Sequence, residues 1–193
     1  MHEWVSARLE IAPATPDRKD DLLDLFGPNG AYSNCWCTWW LLRGRDWDAT
    51  PKEGRRALLM GLVERGEAPG LIAYRDGTPV GWCAVGPRSR YERFMSPRAR
   101  VYRPFDEEPT WVVNCFFIPR EHRGQGIATA LLDAAVRFAG ARGARIVEGY
   151  PIDRTASAHT SSSLFVGSLS TFHAAGFAEV ARTGDRPLVR KEL

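Results

Sequence analysis

The sequence predicts an α/β fold, a central mixed sheet flanked by helices, and three observations carry that prediction. The residues from Trp111 to Ile118 include one strongly polar side chain, Asn114, and prolines bound the run at positions 109 and 119. An unbroken β-prone run of this kind reads as a central strand covered on both faces. Next, HRGQGIATALL, residues 122 to 132, places two glycines before a segment whose apolar residues Ile127, Leu131, Ala134, Ala135 and Phe138 recur every three or four positions. That is the spacing of an amphipathic helix. Finally, GARIVEGYP supplies a second short strand over residues 144 to 150, so strand, loop, helix and strand follow in the order of a parallel crossover unit.

The remaining elements can be justified in chain order. Residues 1 to 68 are expected to hold an N-terminal strand and helices. Among them, PKEGRRALLMGLVERG, residues 51 to 66, starts on Pro51, stops before Gly66 and is amphipathic between them. In NCWCTWW, Trp36, Trp39 and Trp40 stand three and four residues apart, which predicts one helical stripe. LIAYRDGTPVGWCAVG, residues 71 to 86, is two apolar runs around Asp76-Gly77 and reads as a hairpin. Arg88 to Pro109 is Arg-rich and broken by prolines, and reads as a loop near the cleft, either a lid or a surface excursion. The C-terminal stretch FHAAGFAEVARTGDRPLVRKEL closes a helix at Gly176 and offers strands near Phe177 to Arg182 and Pro187 to Lys191.

Composition narrows the classes of function. The chain has 193 residues, 44% of them hydrophobic, which suits a single domain over residues 1–193. No run of about 18 apolar residues is present to span a membrane, and MHEWVSARLE lacks the apolar centre of a signal peptide, so a cytoplasmic protein is expected. The net charge is only +3, with 23 Arg against 3 Lys and no basic stripe interleaved with aromatics, which argues against a nucleic-acid partner. The four cysteines, Cys35, Cys37, Cys83 and Cys115, lack the paired spacing of a zinc site and read as buried free thiols; no metal is expected.

The two glycines before a helix are suited to an anion, because the first turn of a helix leaves N–H groups unpaired and carries partial positive charge. Three templates compete for the loop. A P-loop needs Lys followed by Ser or Thr after its second glycine, whereas Ile127 and Ala128 follow Gly126. A dinucleotide fingerprint would use Gly124, Gly126 and the ribose-binding acid Glu148, but Thr129 fills its third position and four residues, Arg120 to Arg123, separate the glycines from the strand. The third template fits: FFIPREHRGQGIATALL resembles motif A of the GNAT superfamily of acyl-CoA-dependent N-acyltransferases, with Arg123, Gly126 and Ala128 filling its core. The resemblance spans about residues 69 to 193.

The resemblance implies the GNAT fold, acetyl-CoA as co-substrate and transfer of an acetyl group to a primary amine of a small molecule, peptide or antibiotic. It implies that backbone amides of Gly124, Gln125, Gly126, Ile127 and Ala128, with Arg123 beside them, hold the coenzyme A pyrophosphate. It further implies that the main chain of Phe116, Phe117 and Ile118 pairs with the pantetheine arm. Residues before the first hairpin would form one wall of the acceptor cleft, so Trp36, Trp39 and Trp40 are candidate substrate-binding residues. CWCTWW also resembles a Trp- and Cys-rich signature of a subset of bacterial GNAT-like sequences.

Glu148 is the candidate general base, expected where the two parallel strands splay. Many family members carry a Tyr that protonates the departing thiolate; here that position is Phe172, and neither Ser168 nor His173 is an evident substitute. Cys115 has no flanking His to activate it as a nucleophile. The alternative function is a non-catalytic acyl-CoA sensor or assembly module. The final strands offer an edge through which a homodimer would pair.

Overall fold

The computed structural model describes residues 9–95, 108–155, 165–184 and 186–193. Seven strands form one mixed sheet in the order β1-β2-β3-β4-β5-β7-β6. β1 (Leu9–Pro13), β2 (Gly70–Arg75), β3 (Thr78–Pro87) and β4 (Thr110–Phe117) are successively antiparallel. β4 then runs parallel to β5 (Ile146–Gly149), as a strand–helix–strand crossover requires. β5 pairs antiparallel with β7 (Arg186–Glu192), and β7 with the edge strand β6 (Ala178–Thr183).

Helices cover both faces, which is why the central strands lack a polar side. α4 (Ile127–Gly140) packs Ile127, Leu131, Leu132, Ala135 and Ala139 onto Ala73, Cys83, Val85, Val113 and Val147. On the other face, Leu22, Leu25 and Phe26 of α1 (Lys19–Phe26) join Leu59, Met60 and Val63 of α3 (Lys52–Glu64) over Ile72, Trp82, Ala84 and Cys115. Two short helices, α2 (Gly44–Ala49) and α5 (Leu169–Ala174), are also present. Each fully buried Leu or Phe in these layers contributes about 1.5–3 kcal/mol.

The hairpin turns at Asp76 and Gly77, with φ of 49° and 78°, the two successive positive values that a two-residue turn needs. β5 is shorter than the sequence predicts. Pro151 has no N–H to continue the ladder, and Ile152 leaves the sheet to bridge Ser168.

The helical stripe expected for Trp36, Trp39 and Trp40 does not form. Ala31, Ser33, Asn34, Trp36 and Cys37 all have positive φ, which no right-handed helix accommodates, and the segment is instead a succession of turns. Its backbone groups are satisfied locally: the Trp36 N–H donates to the Gly30 carbonyl at 3.0 Å and the Thr38 hydroxyl to the Cys35 carbonyl at 2.9 Å. The three indoles therefore enter three surroundings. Trp36 packs against Phe26, Trp40 stacks on Phe94 at 4.6 Å, and Trp39 is half exposed under the Arg93 guanidinium.

All four cysteines are free; Cys37, Cys83 and Cys115 are buried, while Cys35 is only partly so. Among the described residues no helix is long and apolar enough to cross a membrane. The loop read between Arg88 and Pro109 lies outside the described residues over 96–107, and its start, Arg88–Arg90, is one tight helical turn.

Candidate active site

The loop between β4 and α4 is built by glycine. Gly124 and Gly126 have φ of 72° and 77°, a left-handed conformation that brings the chain onto the helix axis. Among the described residues, no hydrogen bond is donated by the amides of Gly124, Gln125 or Gly126, and no side chain caps α4. A Cβ built on either glycine would meet nothing within 4 Å, so the loop is open on its outer side. Arg123 braces it, its Nε–H donating to the Ile118 carbonyl at 2.9 Å, and the side-chain amide of Gln125, through Nε2, donates to the Glu121 carbonyl at 3.1 Å.

Beside the loop, β4 parts from β5. Their parallel pairing ends at Val113 with Gly149, whereas β4 continues to Phe117. β4 is also bulged there: Ala84 opposes Cys115 and Val85 opposes Val113, leaving Asn114 without a partner on β3. A bulge bends its strand and increases its twist. Among the described residues, the backbone from Asn114 to Phe117 thus has no strand on its β5 side.

Phe172 closes the floor of this opening. Its ring is fully buried against Phe116 and Phe177, and a Cβ at position 149 would lie 2.1 Å from it, which is why glycine ends β5. Ser168 caps α5 by accepting from the Thr171 N–H at 3.3 Å, and His173 is exposed on that helix. Phe172 itself carries no proton to donate.

On the sheet face opposite α4, Glu148 is fully buried, one residue before the last β4–β5 pair. One carboxylate oxygen accepts from Arg88 and from the Tyr150 hydroxyl at 2.9 Å; the other accepts from Arg190 Nε at 2.7 Å. Burial pushes the Tyr150 phenol well above its usual pKa, which keeps the proton that it donates. Tyr91, Phe94 and Trp40 pack over the cluster. Asn114 is buried there with neither end of its amide hydrogen-bonded among the described residues.

Over the same face, a cleft of about 370 Å³ lies between α1 and α3, lined by Leu23, Asn34, Trp36, Lys52 and Arg56. Trp36 alone of the three tryptophans borders it. Cys37 lies behind, its sulfur 2.9 Å from that of Cys115 in β4.

The structure thus brings the loop residues 123–128 together with the β4 edge 116–118 and sets Glu148 on the other side of the opening. Sequence reading passed over Arg88, Tyr91, Tyr150 and Arg190. Asn114 was visible as the one polar residue of an apolar strand, a signal of either a bulge or a site.

Three comparisons bear on this arrangement. The family model described as the Acetyltransferase (GNAT) family matches residues 34–156. No curated protein matches the chain. Among solved structures, the PaiA N-acetyltransferase of Thermoplasma acidophilum in complex with coenzyme A is similar at TM-score 0.53 and 14% identity, over 96% of this chain and 99% of that one. The ribosomal-protein-alanine N-acetyltransferase of Brucella melitensis gives 0.55 and 19%, over 95% and 99%. The aminoglycoside N-acetyltransferase AAC(6')-Iy in complex with CoA gives 0.57 and 16%, over 94% and 95%. A glycine loop opening a helix beside a splayed parallel pair, on a mixed seven-stranded sheet with the family match over its centre, makes the chain a member of the GNAT acetyltransferase family.

Proposed function

We propose that the protein is an acetyl-CoA-dependent N-acetyltransferase acting on a primary amine of a small molecule or peptide. The observation that carries this reading is the joining of the open loop at residues 124–128 to the unpaired edge of β4. The residues fit the co-substrate: both glycine faces are open, and the free amides and helix N-terminus suit a diphosphate. When bound, acetyl-CoA supplies an activated thioester.

Gly124, Gln125, Gly126, Ile127 and Ala128 would hold the diphosphate through backbone N–H groups, with the Arg123 charge beside them. Phe116, Phe117 and Ile118 would offer main-chain groups to the pantetheine amides in strand fashion. A backbone N–H on this edge would polarise the acyl oxygen. The acceptor amine would enter from the face that carries Glu148 and the Trp36 cleft.

Glu148 as general base would have to take a proton while Arg88, Arg190 and Tyr150 hold both its oxygens. That environment favours a positioning role, in which the carboxylate fixes Arg88 and Tyr150. Glu148→Gln distinguishes the two: loss of the rise in turnover on the acid side of the pH profile supports the base, and an unchanged profile removes it. Phe172 supplies no proton to the leaving thiolate, itself a fairly good leaving group.

The deciding experiment is calorimetric titration with acetyl-CoA, with NAD in parallel, followed by an amine panel. Saturable binding of acetyl-CoA and acetylation of at least one amine are expected. Binding without transfer to any amine would favour a non-catalytic acyl-CoA module; binding of NAD alone would overturn the reading.

A further inference from the structure

We propose that Arg88 is a carboxylate-binding residue of the acceptor site, and that the acceptor is a small amine carrying a carboxylate, of the kind a free amino acid provides. The proposal deepens the N-acetyltransferase reading and rests on it.

Arg88 follows directly on β3, and its side chain is 7% exposed. Its Nη1 donates to Glu148 and, at 2.6 Å, to the Tyr150 hydroxyl. Held at that nitrogen, the planar guanidinium retains one further edge, Nε–H with the second Nη, which is a fork matched to the two oxygens of a carboxylate. Both atoms of that edge are buried, and among the described residues neither has a hydrogen-bond partner. A buried N–H left without an acceptor costs about 1–3 kcal/mol, and more on a charged group. One carboxylate would satisfy both.

A second observation, on other residues, points to a ligand at the same place. Asn114 is 1% exposed beside the buried Tyr91 hydroxyl, with which it interacts, and among the described residues its amide makes no hydrogen bond of full geometry. Asn114 is the extra residue of the bulge where β4 leaves β5, so these groups sit where the opening meets the acceptor face. The Asn114 oxygen can accept from an amine, and the Arg88 fork can bind a carboxylate. Phe94 stacks on Tyr150 at 4.8 Å and lies 5.6 Å from the Arg88 guanidinium carbon, which limits how that guanidinium can turn. A ligand bearing both an amine and a carboxylate would occupy both sets, and a simple alkylamine only one.

The test uses matched acceptors: L-phenylalanine, its carboxamide and phenethylamine, and likewise L-lysine, its carboxamide and cadaverine. Coenzyme A release is followed with wild type and with Arg88→Lys, which keeps a charge opposite Glu148 but has no fork. The wild type is expected to favour the carboxylate member of a set by 10-fold or more in kcat/KM, and Arg88→Lys to bring that ratio below about 2-fold. Acetylation of amines with no preference for the carboxylate overturns the proposal and leaves the N-acetyltransferase reading standing. A preference that survives Arg88→Lys overturns the assignment to Arg88. If Arg88→Lys does not fold, judged by its acetyl-CoA affinity, the wild-type ratio decides. If no amine is acetylated, the activity reading falls, and titration of the coenzyme A-saturated protein with the same amino acids decides the subsite: binding tighter than that of the carboxamides supports it, and absence of binding overturns it.

Discussion

Cys35 and Cys37 stand two positions apart, and their surroundings push them in opposite directions. A hydrogen bond from Cys37 brings the Cys35 thiol down to about 6, whereas burial holds Cys37 well above its usual range. The thiolate is the nucleophile, so iodoacetamide at pH 7 is expected to alkylate Cys35 first, with a rate that climbs through about pH 6. Peptide mapping checks this; first modification at Cys37 or Cys83 would contradict it. Glu148 poses the complementary case of a buried charge with its partners in place. Glu148→Ala would take the buried carboxylate away from the Arg88 and Arg190 guanidinium groups and is expected to cost about 3–5 kcal/mol in urea unfolding. Little of this was legible in the chain. Arg88 and Glu148 are 60 residues apart, and no local pattern couples a loop arginine to a strand carboxylate.

β4, its loop and α4 were readable because everything that forms them is local: an apolar run, two glycines, then a three-and-four repeat. The same reasoning failed at Trp36, Trp39 and Trp40, where helical spacing coincided with residues of positive φ. Spacing reports a helix only if the backbone between is right-handed, and Asn34 with its neighbours is not. The loop carries its own prediction. A Cβ at position 126 meets no protein atom within 4 Å, so Gly126→Leu adds bulk on the open side of the loop and also strains a backbone held at φ 77°. Acetyl-CoA affinity is expected to fall about 10- to 100-fold, or ~1.4–2.7 kcal/mol, measured by calorimetry; unaltered affinity would remove the diphosphate cradle.

Across the whole molecule, the sheet divides the apolar interior into a layer beneath α4 and a layer beneath α1 and α3. Leu131 belongs to the first and Leu22 to the second, each fully buried. Leu131→Ala and Leu22→Ala should each cost about 2–5 kcal/mol and add in the double variant to within about 0.5 kcal/mol, since they share no partner. A larger discrepancy in urea unfolding would mean that the layers are mechanically joined through the sheet. The bulge in β4 makes folding and ligand binding separable by a single codon. Val113 and Phe116 face α4, while Cys115 and Phe117 face away, so excising Asn114 leaves each of them on its present side. Such a deletion is expected to straighten the strand and keep its interior packing while removing the amide that the proposed acceptor site uses, so unfolding in urea should change little as acceptor binding is lost.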